Sequence, residues 1–475
     1  MVRSVLTLVA TILVLLTNHA RAAHVPNIVL VMPDDMGWGD IGAHGNPLIK
    51  TPKLDRLYGE SLRFTDFHVS PTCAPTRSAL LTGRHEFKNG VTHTINERER
   101  LTLDAVTLAQ VLKTAGYSTG IFGKWHLGDD ESHQPFNRGF DETFIHGCGG
   151  IGQTYPGTCG DFPGNEYFNP VIRHNGMPVR TEGYCTDVFF NRAIGWIAER
   201  GKSNKPFFAY ITPNSPHAPL VSPGPKYDAL YEGKEIDGKK LSEKDVPYYS
   251  MITNIDENVG KLMDLLKAND LEQNTLLIFM SDNGGTHTRL YNGGFRAGKG
   301  TPYYGGTHAP AFWRWPAAIK GGQDCRAMTA HIDILPTLMD VAGAKWTDPL
   351  KNQVEGRSLL PLLKEAGAEW ADRTLVSHVG RWPKGKVAEW KHKQCAIRNT
   401  RFALINNQEL YDLVADPGQT KNVIADHQPA VRDLQTAYDK WWNDIQPMLI
   451  NEDAPVPAVN PYKELYERTL RANSK

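Results

Sequence analysis

The sequence has no excess of charge of either sign and few cysteines. Lysine plus arginine and aspartate plus glutamate each number 52, so the formal net charge at pH 7 is zero. The overall charge therefore does not favour nucleic acid or another polyanion, and any cationic site must be local. Six cysteines in 475 residues exclude a disulfide-dense scaffold, and 40% hydrophobic residues exclude an intrinsically disordered chain. This length suits one large domain with an appendage, or two moderate domains.

The amino terminus has an apolar run that is too short to cross a bilayer. Residues 4–16 carry no charge, whereas a spanning helix needs about 20 apolar residues. The run follows Arg3 and precedes the small-x-small sequence at 20–22, so we expect residues 1–22 to be a secretory signal peptide. We therefore expect an exported protein, periplasmic or secreted, with no membrane span after cleavage. The sequence has no Asn-x-Ser/Thr acceptor, which favours a bacterial periplasm.

Short, continuous apolar runs predict strands that are buried on both faces of a parallel sheet. The clearest runs are 27–32, 118–122, 206–211 and 275–280. They alternate with segments of helical spacing, including 103–115 before Gly116, 187–200 with Thr186 as its cap, and a helix that aligns Ile255, Val259, Leu262 and Leu266. This order predicts an α/β fold with a large, mostly parallel mixed sheet and helices on both faces.

The pattern changes beyond about residue 365. Short strands are predicted over 374–378, 394–397 and 402–406, and an amphipathic helix over 430–445. We therefore expect a signal peptide at 1–22, a catalytic α/β domain at 23–365 and a smaller α+β domain at 366–475, with a short antiparallel sheet and a closing helix.

Polar side chains follow four of the predicted strands, at the ends where ligands bind in open α/β sheets. They are Asp34 and Asp35, Lys124 and His126, His217, and Asp282 and Asn283. Aspartate and asparagine oxygens suit a divalent cation, and one calcium ion fits best. Magnesium requires stricter octahedral geometry, and zinc prefers more His or Cys. Each Asp pair by itself is also typical of a turn or a helix cap.

The segment from Cys73 to Arg84 predicts a helix that begins near Pro75 and ends at Gly83. Cys73 then lies at the helix amino terminus, where free N–H groups and the helix dipole favour an anion, and Arg77 lies one turn along. Taken alone, the segment is more typical of a disulfide cysteine beside an ordinary capped helix. Cys148 and Cys159 bracket a glycine-rich loop and are candidates for a disulfide, but the sequence leaves the cysteine pairing open.

The residues from Cys73 to Arg84, Cys-Ala-Pro-Thr-Arg-Ser-Ala-Leu-Leu-Thr-Gly-Arg, resemble the signature of the type I sulfatases. These are formylglycine-dependent, arylsulfatase-like enzymes of the alkaline phosphatase superfamily. Further blocks are similar to those of that family and occur in the same order. They are Asp34-Asp35, Gly123-Lys124-Trp125-His126, His217, Ser281-Asp282-Asn283-Gly284-Gly285, Gly298-Lys299-Gly300 and the segment from Glu409 to Asn422.

The resemblance implies a mechanism and a role for each matched residue. A separate maturation enzyme would oxidise Cys73 to formylglycine, and the hydrated aldehyde would attack sulfur. The calcium ligands would be Asp34, Asp35, Cys73 in its oxidised form, Asp282 and Asn283. The cations around the diol and the sulfate would be Arg77, Lys124 and Lys299. His126 would lie beside the second diol hydroxyl, and His217, alone or with Lys299, would protonate the leaving oxygen.

Substrate choice is expected to lie in the loops 145–168 and 286–304. Their candidate contacts, with two residues outside the loops, are Tyr155, Phe162, Tyr167 and Trp125 for stacking, and His93, His287 and Arg289 for hydroxyls or a second anion. The resemblance implies a sulfated carbohydrate as substrate, with small aryl sulfates as laboratory substrates. Two alternatives stay open: a phosphonate or phosphate ester hydrolase of the same superfamily, and an unmatured chain that only binds sulfated glycans.

Overall fold

The structure of the protein is a computed structural model that describes residues 25–155, 158–203 and 205–471. The expected signal peptide, residues 1–22, lies outside the described residues. Among the residues that are described, no helix is both long enough and apolar enough to cross a membrane.

Within the described chain, ten strands join in one mixed sheet and four others form an antiparallel sheet near the carboxyl terminus. The strands are β1 (Asn27–Val31), β2 (Leu62–Phe64), β3 (Phe67–His68), β4 (Ser118–Lys124), β5 (Glu142–His146), β6 (Val171–His174), β7 (Met177–Arg180), β8 (Phe207–Thr212), β9 (Glu235–Ile236), β10 (Lys239–Lys240), β11 (Thr275–Met280), β12 (Ala311–Arg314), β13 (Gln323–Cys325), β14 (Thr329–Ala330), β15 (Leu375–His378), β16 (Cys395–Arg398), β17 (Phe402–Ile405) and β18 (Glu409–Asp412). The large sheet has the order β13-β2-β12-β11-β1-β8-β4-β5-β6-β7. Its central strands β11, β1, β8, β4 and β5 run parallel, and antiparallel pairings flank them on both sides.

Helices cover both faces of the large sheet. They are α1 (Pro52–Glu60), α2 (Cys73–Thr82), α3 (Leu108–Thr114), α4 (Cys185–Arg200), α5 (Pro225–Asp228), α6 (Asp245–Ala268), α7 (Tyr304–Thr307), α8 (Ile334–Val341), α9 (Asp348–Gln353), α10 (Leu360–Lys364), α11 (Gln428–Ile445) and α12 (Pro461–Tyr466). Successive residues of a strand point to opposite faces. Accordingly, Ile28 and Leu30 pack with α2, α3 and α8, whereas Val29 and Val31 pack with α1, α4 and α6. The predicted α/β fold class is confirmed.

The carboxyl-terminal sheet has the order β15-β16-β17-β18, and α11 packs against it. Leu404 of β17 is buried in one cluster with Leu434 and Trp442 of α11. The small antiparallel sheet and its closing helix are as the sequence predicts, with β18 as a further strand. The boundary between residues 365 and 366 stays a prediction.

Two local predictions about helices are wrong. The helix predicted over 103–115 is α3, which begins later because Thr107 and Gln110 cap it reciprocally. Oγ1 of Thr107 accepts a hydrogen bond from the Gln110 N–H at 3.3 Å, and Oε1 of Gln110 accepts one from the Thr107 N–H at 2.9 Å. Thr186 does not cap α4, which begins one residue earlier, and its hydroxyl lies 2.8 Å from Oγ of Ser215.

One of the cysteine pairings that the sequence left open is present in the structure. Cys148 and Cys159 form a disulfide with their Cα atoms 5.4 Å apart, which closes the glycine-rich loop after β5. The remaining cysteines are buried free thiols, namely Cys73, Cys185, Cys325 and Cys395. Cys73 is therefore free of any disulfide.

Candidate active site

The strand order explains why distant residues meet. Strands β11, β1, β8 and β4 are direct neighbours and run parallel, so their carboxyl ends lie along one edge of the sheet. The loops after these strands carry the polar residues that the sequence predicts for the site. This is the edge of a parallel sheet at which ligands typically bind. Lys124 is itself the last residue of β4 and is fully buried.

Four oxygen-bearing side chains converge at this edge. The ligand atoms of Asp34, Cys73 and Asp282 lie within 4.8 Å of one another, and those of Asp34, Asp35 and His217 do likewise. Nδ2 of Asn283 donates to Oδ1 of Asp35 at 2.9 Å, and the Asp35 N–H donates to Oδ1 of Asp282 at 3.2 Å. Asp35 has a φ of 72°, a left-handed conformation that is rare outside glycine and is typical of functional sites.

The donor set fits a calcium ion. Oδ1 of Asp34 and Oδ1 of Asn283 are buried and have no hydrogen-bond partner among the described residues. Buried polar atoms are nearly always partnered, so these two unpartnered oxygens are available as ligands for a cation. Calcium accepts carboxylate and amide oxygens in flexible geometry, whereas zinc prefers nitrogen and sulfur.

Each of the three carboxylates also has a cationic partner. Nζ of Lys124 lies 2.5 Å from Oδ2 of Asp34, and Nζ of Lys299 lies 2.6 Å from Oδ1 of Asp35. The guanidinium of Arg77 donates to Oδ2 of Asp282 at 2.7 and 3.1 Å and to the carbonyl oxygen of Lys124 at 2.9 Å. Three cations therefore lie among the three carboxylates at this edge of the sheet.

Burial and charge separate the pKa values of the carboxyl groups. Burial would raise the pKa of Asp35, but Lys299, His217 and Lys124 outweigh it and hold that pKa below its ordinary value. Burial and the neighbouring Asp34 raise the pKa of Asp282 to about 6, against the opposing effect of Arg77 and Lys124. Carboxylates this close cannot all ionise freely without compensating positive charge, which Lys124, Lys299 and Arg77 supply.

Cys73 is the first residue of α2 and lines a pocket of about 310 Å³. Its side chain is only 2% exposed. The helix ends at Gly83, which has the left-handed φ of 70° expected at a helix stop. The pocket is lined by Cys73, His93, Thr94, Ile95, His126, Gly149, Gln153, Tyr155, Cys159, His217, Lys299 and Arg381. The pocket therefore brings the thiol together with three histidines and two cations.

The hydrogen bonds of His126 and His217 indicate which of their ring nitrogens are free. Nε2 of His126 lies 2.8 Å from the carbonyl oxygen of Thr94, which can only accept, so Nε2 carries the proton and Nδ1 has the lone pair. Likewise, Nδ1 of His217 lies 2.7 Å from the carbonyl oxygen of Ala218, which leaves Nε2 free, 3.9 Å from Oδ2 of Asp35. Burial and Lys124 hold the pKa of His126 well below its ordinary value, although the Thr94 carbonyl opposes them.

Three of the four aromatic side chains proposed for sugar stacking are buried and cannot contact a ligand in the pocket. Trp125, Phe162 and Tyr167 are at most 2% exposed, because their rings fill the protein core. Trp125 donates from Nε1 to the carbonyl oxygen of His133, and Phe162 packs against Tyr462. Among the four candidates for stacking, only Tyr155 lines the pocket.

Of the three polar candidates for substrate contact, only His93 lines the pocket. His287 stacks on Tyr248, and Arg289 forms an ion pair with Asp245. Sequence reasoning missed several residues that do line the pocket, among them the polar side chains of Gln153 and Arg381. Gln153 lies in the loop that was singled out, but Arg381 comes from the chain after β15 and carries no motif that marks it.

Comparisons with known proteins agree with this architecture. The chain matches the family model described as Sulfatase over residues 26–344 and the model described as N-sulphoglucosamine sulphohydrolase, C-terminal, over residues 299–444. It is 33% identical to N-acetylgalactosamine-6-sulfatase of Rattus norvegicus over 364 residues, which cover 72% of this chain and 67% of that protein. It is also 33% identical to arylsulfatase A of Homo sapiens over 381 residues, which cover 75% of this chain and 71% of that protein.

A solved structure extends the likeness to the whole fold. The crystal structure of Ps i-CgsB in complex with k-i-k-neocarrahexaose has a TM-score of 0.78 and 28% sequence identity, and the match covers 89% of this chain and 93% of that chain. The large sheet and the small sheet thus belong to a known architecture. The chain is a member of the sulfatase family and a hydrolase of sulfuric esters.

Proposed function

We propose that this protein removes a sulfate group from a carbohydrate, with a nucleophile made from Cys73 and a calcium ion held by Asp34, Asp35, Asp282 and Asn283. The observation that carries the proposal is the juxtaposition of Asp34, the free thiol of Cys73 and Asp282 within 4.8 Å, at the edge of the sheet where three cations also lie. A carbohydrate is favoured because N-acetylgalactosamine-6-sulfatase and the neocarrahexaose complex carry sugars in their names.

Residue 73, oxidised to formylglycine and hydrated, would supply an oxygen nucleophile, and the calcium ion would supply a Lewis acid for the sulfate oxygens. The maturation enzyme that makes this group is the expected protein partner. Asp34, Asp35, Asp282 and Asn283 would hold the ion, and residue 73 would complete the set in its oxidised form.

The side chains around residue 73 would bind and orient the sulfate. Lys124 and Lys299, and Arg77 held in place by Asp282, would stabilise the negative charge that develops on the sulfate oxygens. The free Nδ1 of His126 would accept a proton inside the pocket. Nε2 of His217 and the ammonium group of Lys299 line the same pocket, and the leaving oxygen would take its proton there.

A chemical test begins with the peptide that contains Cys73. Mass spectrometry of the protein expressed with a maturation enzyme should show loss of the thiol and gain of an aldehyde. The matured protein should hydrolyse para-nitrophenyl sulfate faster than the matching phosphate and phosphonate esters, and Cys73→Ala should abolish turnover while leaving the fold intact. Faster turnover of the phosphorus esters would establish a phosphonate or phosphate ester hydrolase. Turnover by Cys73→Ala would refute the proposed nucleophile.

Removal of the metal tests the calcium site separately. Exhaustive chelation should abolish turnover and lower the melting temperature, because an ion that binds only the folded state stabilises it and its removal takes that stabilisation away. Calcium should restore both properties better than magnesium does. Unchanged activity and melting temperature after chelation would count against the ion.

The proposed compartment is the periplasm or the exterior of the cell, and cleavage after residue 22 is its direct test.

A further inference from the structure

The pocket that contains Cys73 adjoins a second pocket of about 360 Å³. His93 and Arg381 line both pockets, so they stand at the boundary between them. Small-molecule sites typically enclose ~300–1,000 Å³, so each pocket has room for a group of about one sugar residue. The pair of pockets is suited to a ligand of at least two linked residues.

The backbone around Arg381 is held in an unusual conformation. Gly380 and Arg381 have φ values of 65° and 57°, and a Cβ atom at Gly380 would lie 2.0 Å from the carbonyl oxygen of Thr92. The Arg381 N–H donates to that same carbonyl oxygen at 3.0 Å. A left-handed arginine costs free energy and persists only where its surroundings enforce it, which is typical of functional sites.

A buried network fixes this loop against the catalytic domain. Arg98 donates to the carbonyl oxygen of Trp382 at 2.7 Å and forms an ion pair with Glu452 at 3.0 Å. Nε1 of Trp382 and Oγ1 of Thr92 also donate to Glu452, each at 2.6 Å. The charge of Glu452 is therefore compensated by Arg98, and the loop presents Arg381 from a rigid base.

The guanidinium of Arg381 has no carboxylate partner among the described residues. One NH2 group donates to Oγ1 of Thr94 at 3.0 Å, and Nε is buried without a partner. The second pocket also contains Lys384, whose Nζ lies 3.7 Å from a carboxylate oxygen of Asp453. A guanidinium with unused N–H donors binds a carboxylate or a sulfate through parallel hydrogen bonds. The donors of Arg381 are available for such a group, because no carboxylate of the described residues is paired with them.

His93 provides a second donor at the same boundary. Its Nδ1 accepts hydrogen bonds from the N–H groups of Thr94 and Ile95 at 2.8 and 3.1 Å, so the ring proton is on Nε2. Burial, Arg98 and Arg381 lower the pKa of His93 to about 3, which keeps the ring neutral. His93 can therefore donate from Nε2 without adding charge.

We propose that Arg381 and His93 bind a second anionic group, a carboxylate or a sulfate, on the sugar next to the one that carries the scissile sulfate. The substrate is then an oligosaccharide with at least two anionic groups. The inference rests on the proposed function, since the first pocket must bind the scissile sulfate. It assigns a specificity role to the carboxyl-terminal part of the chain, which supplies Arg381.

The test is a binding measurement on the full, calcium-loaded chain with Cys73→Ser, in which nothing is turned over. Isothermal titration calorimetry would compare three ligands: galactose 6-sulfate with one anionic group, a chondroitin 6-sulfate disaccharide that adds a carboxylate, and a disulfated carrageenan disaccharide without a carboxylate. At least one disaccharide should bind at least about tenfold more tightly than galactose 6-sulfate, as a charge-assisted pair predicts. The disaccharide that does so identifies the second group.

Adding Arg381→Gln should weaken binding of that disaccharide about tenfold or more and change the binding of galactose 6-sulfate far less. Arg381→Lys, which keeps the charge, should lose less. Lys386→Gln is the matched control, because Lys386 is exposed, contacts Glu389 and lines neither pocket; it should change no Kd. Equal weakening of all three ligands by Arg381→Gln, or no preference for either disaccharide in the parent, would overturn the inference. Failure of the proposed function would appear separately, as absent turnover of para-nitrophenyl sulfate by the matured wild type.

Discussion

Replacement of Arg77 by methionine should destabilise the protein strongly as well as inactivate it. Arg77 is 1% exposed and Asp282 is fully buried, and two nitrogens of the guanidinium donate to Oδ2 of Asp282. Methionine fills part of the same space but leaves that carboxylate without its cation. Loss of one partner from a buried ion pair typically costs about 3–5 kcal/mol, because the remaining charge stays desolvated.

The size of the effect can be expressed as a melting temperature. With an unfolding entropy of about 2.1 cal/mol/K per residue, the proposed catalytic domain at 23–365 should melt about 4–7 °C lower after a loss of 3–5 kcal/mol. The measurement is differential scanning calorimetry with chelator present, so that metal affinity does not contribute. Arg77→Lys keeps the positive charge but loses the second donor, and its loss should be smaller.

A double variant separates the charge effect from the catalytic effect. Asp282→Asn in the Arg77→Met background removes the lone carboxylate charge, so it should restore about half or more of the lost stability. It should restore no turnover of para-nitrophenyl sulfate, because the cation is still missing and a proposed calcium ligand is changed. A melting temperature of Arg77→Met within about 1 °C of wild type would refute the burial argument.

Two further predictions concern the loop that borders the pocket. Replacing Cys148 and Cys159 by alanine opens a loop with a sequence separation of 11 residues. Because the unfolded chain then gains conformational entropy, the free energy of unfolding should fall by about 3 kcal/mol. A loss below about 1 kcal/mol in urea titrations would contradict this. Burial raises the pKa of Glu99, whose Oε1 accepts from Thr158 at 2.6 Å, to about 7. The folded state then keeps a proton that an unfolded glutamate releases near pH 4.3. As the pH rises from about 4.3 to 7, Glu99 therefore lowers the free energy of unfolding by up to about 3 kcal/mol. Glu99→Gln should remove that contribution, so its stability relative to wild type should be higher at pH 8 than at pH 5; parallel pH profiles would show that Glu99 titrates normally.

The sequence alone determined the central strands, the helix that ends before Gly83 and the family. The run at 275–280 coincides with β11, because a continuous apolar segment is stable only where both faces of a strand are covered. Gly83 marked the end of α2, since a left-handed residue at a helix stop favours glycine. Such signals are local, because each conformational preference depends on the residue itself and on its neighbours in the sequence.

The tertiary structure decided which polar residues meet and which aromatic rings remain available. Arg77 and Asp282 are 205 positions apart in the sequence, and they meet only because α2, which carries Arg77, packs in one hydrophobic core with β11, which Asp282 follows. Trp125 was a candidate for stacking on a sugar, but the fold buries it, whereas Arg381 reaches the pocket without any motif that marks it. Contacts of this kind depend on the packing of distant segments, and a single residue type at one position does not specify them.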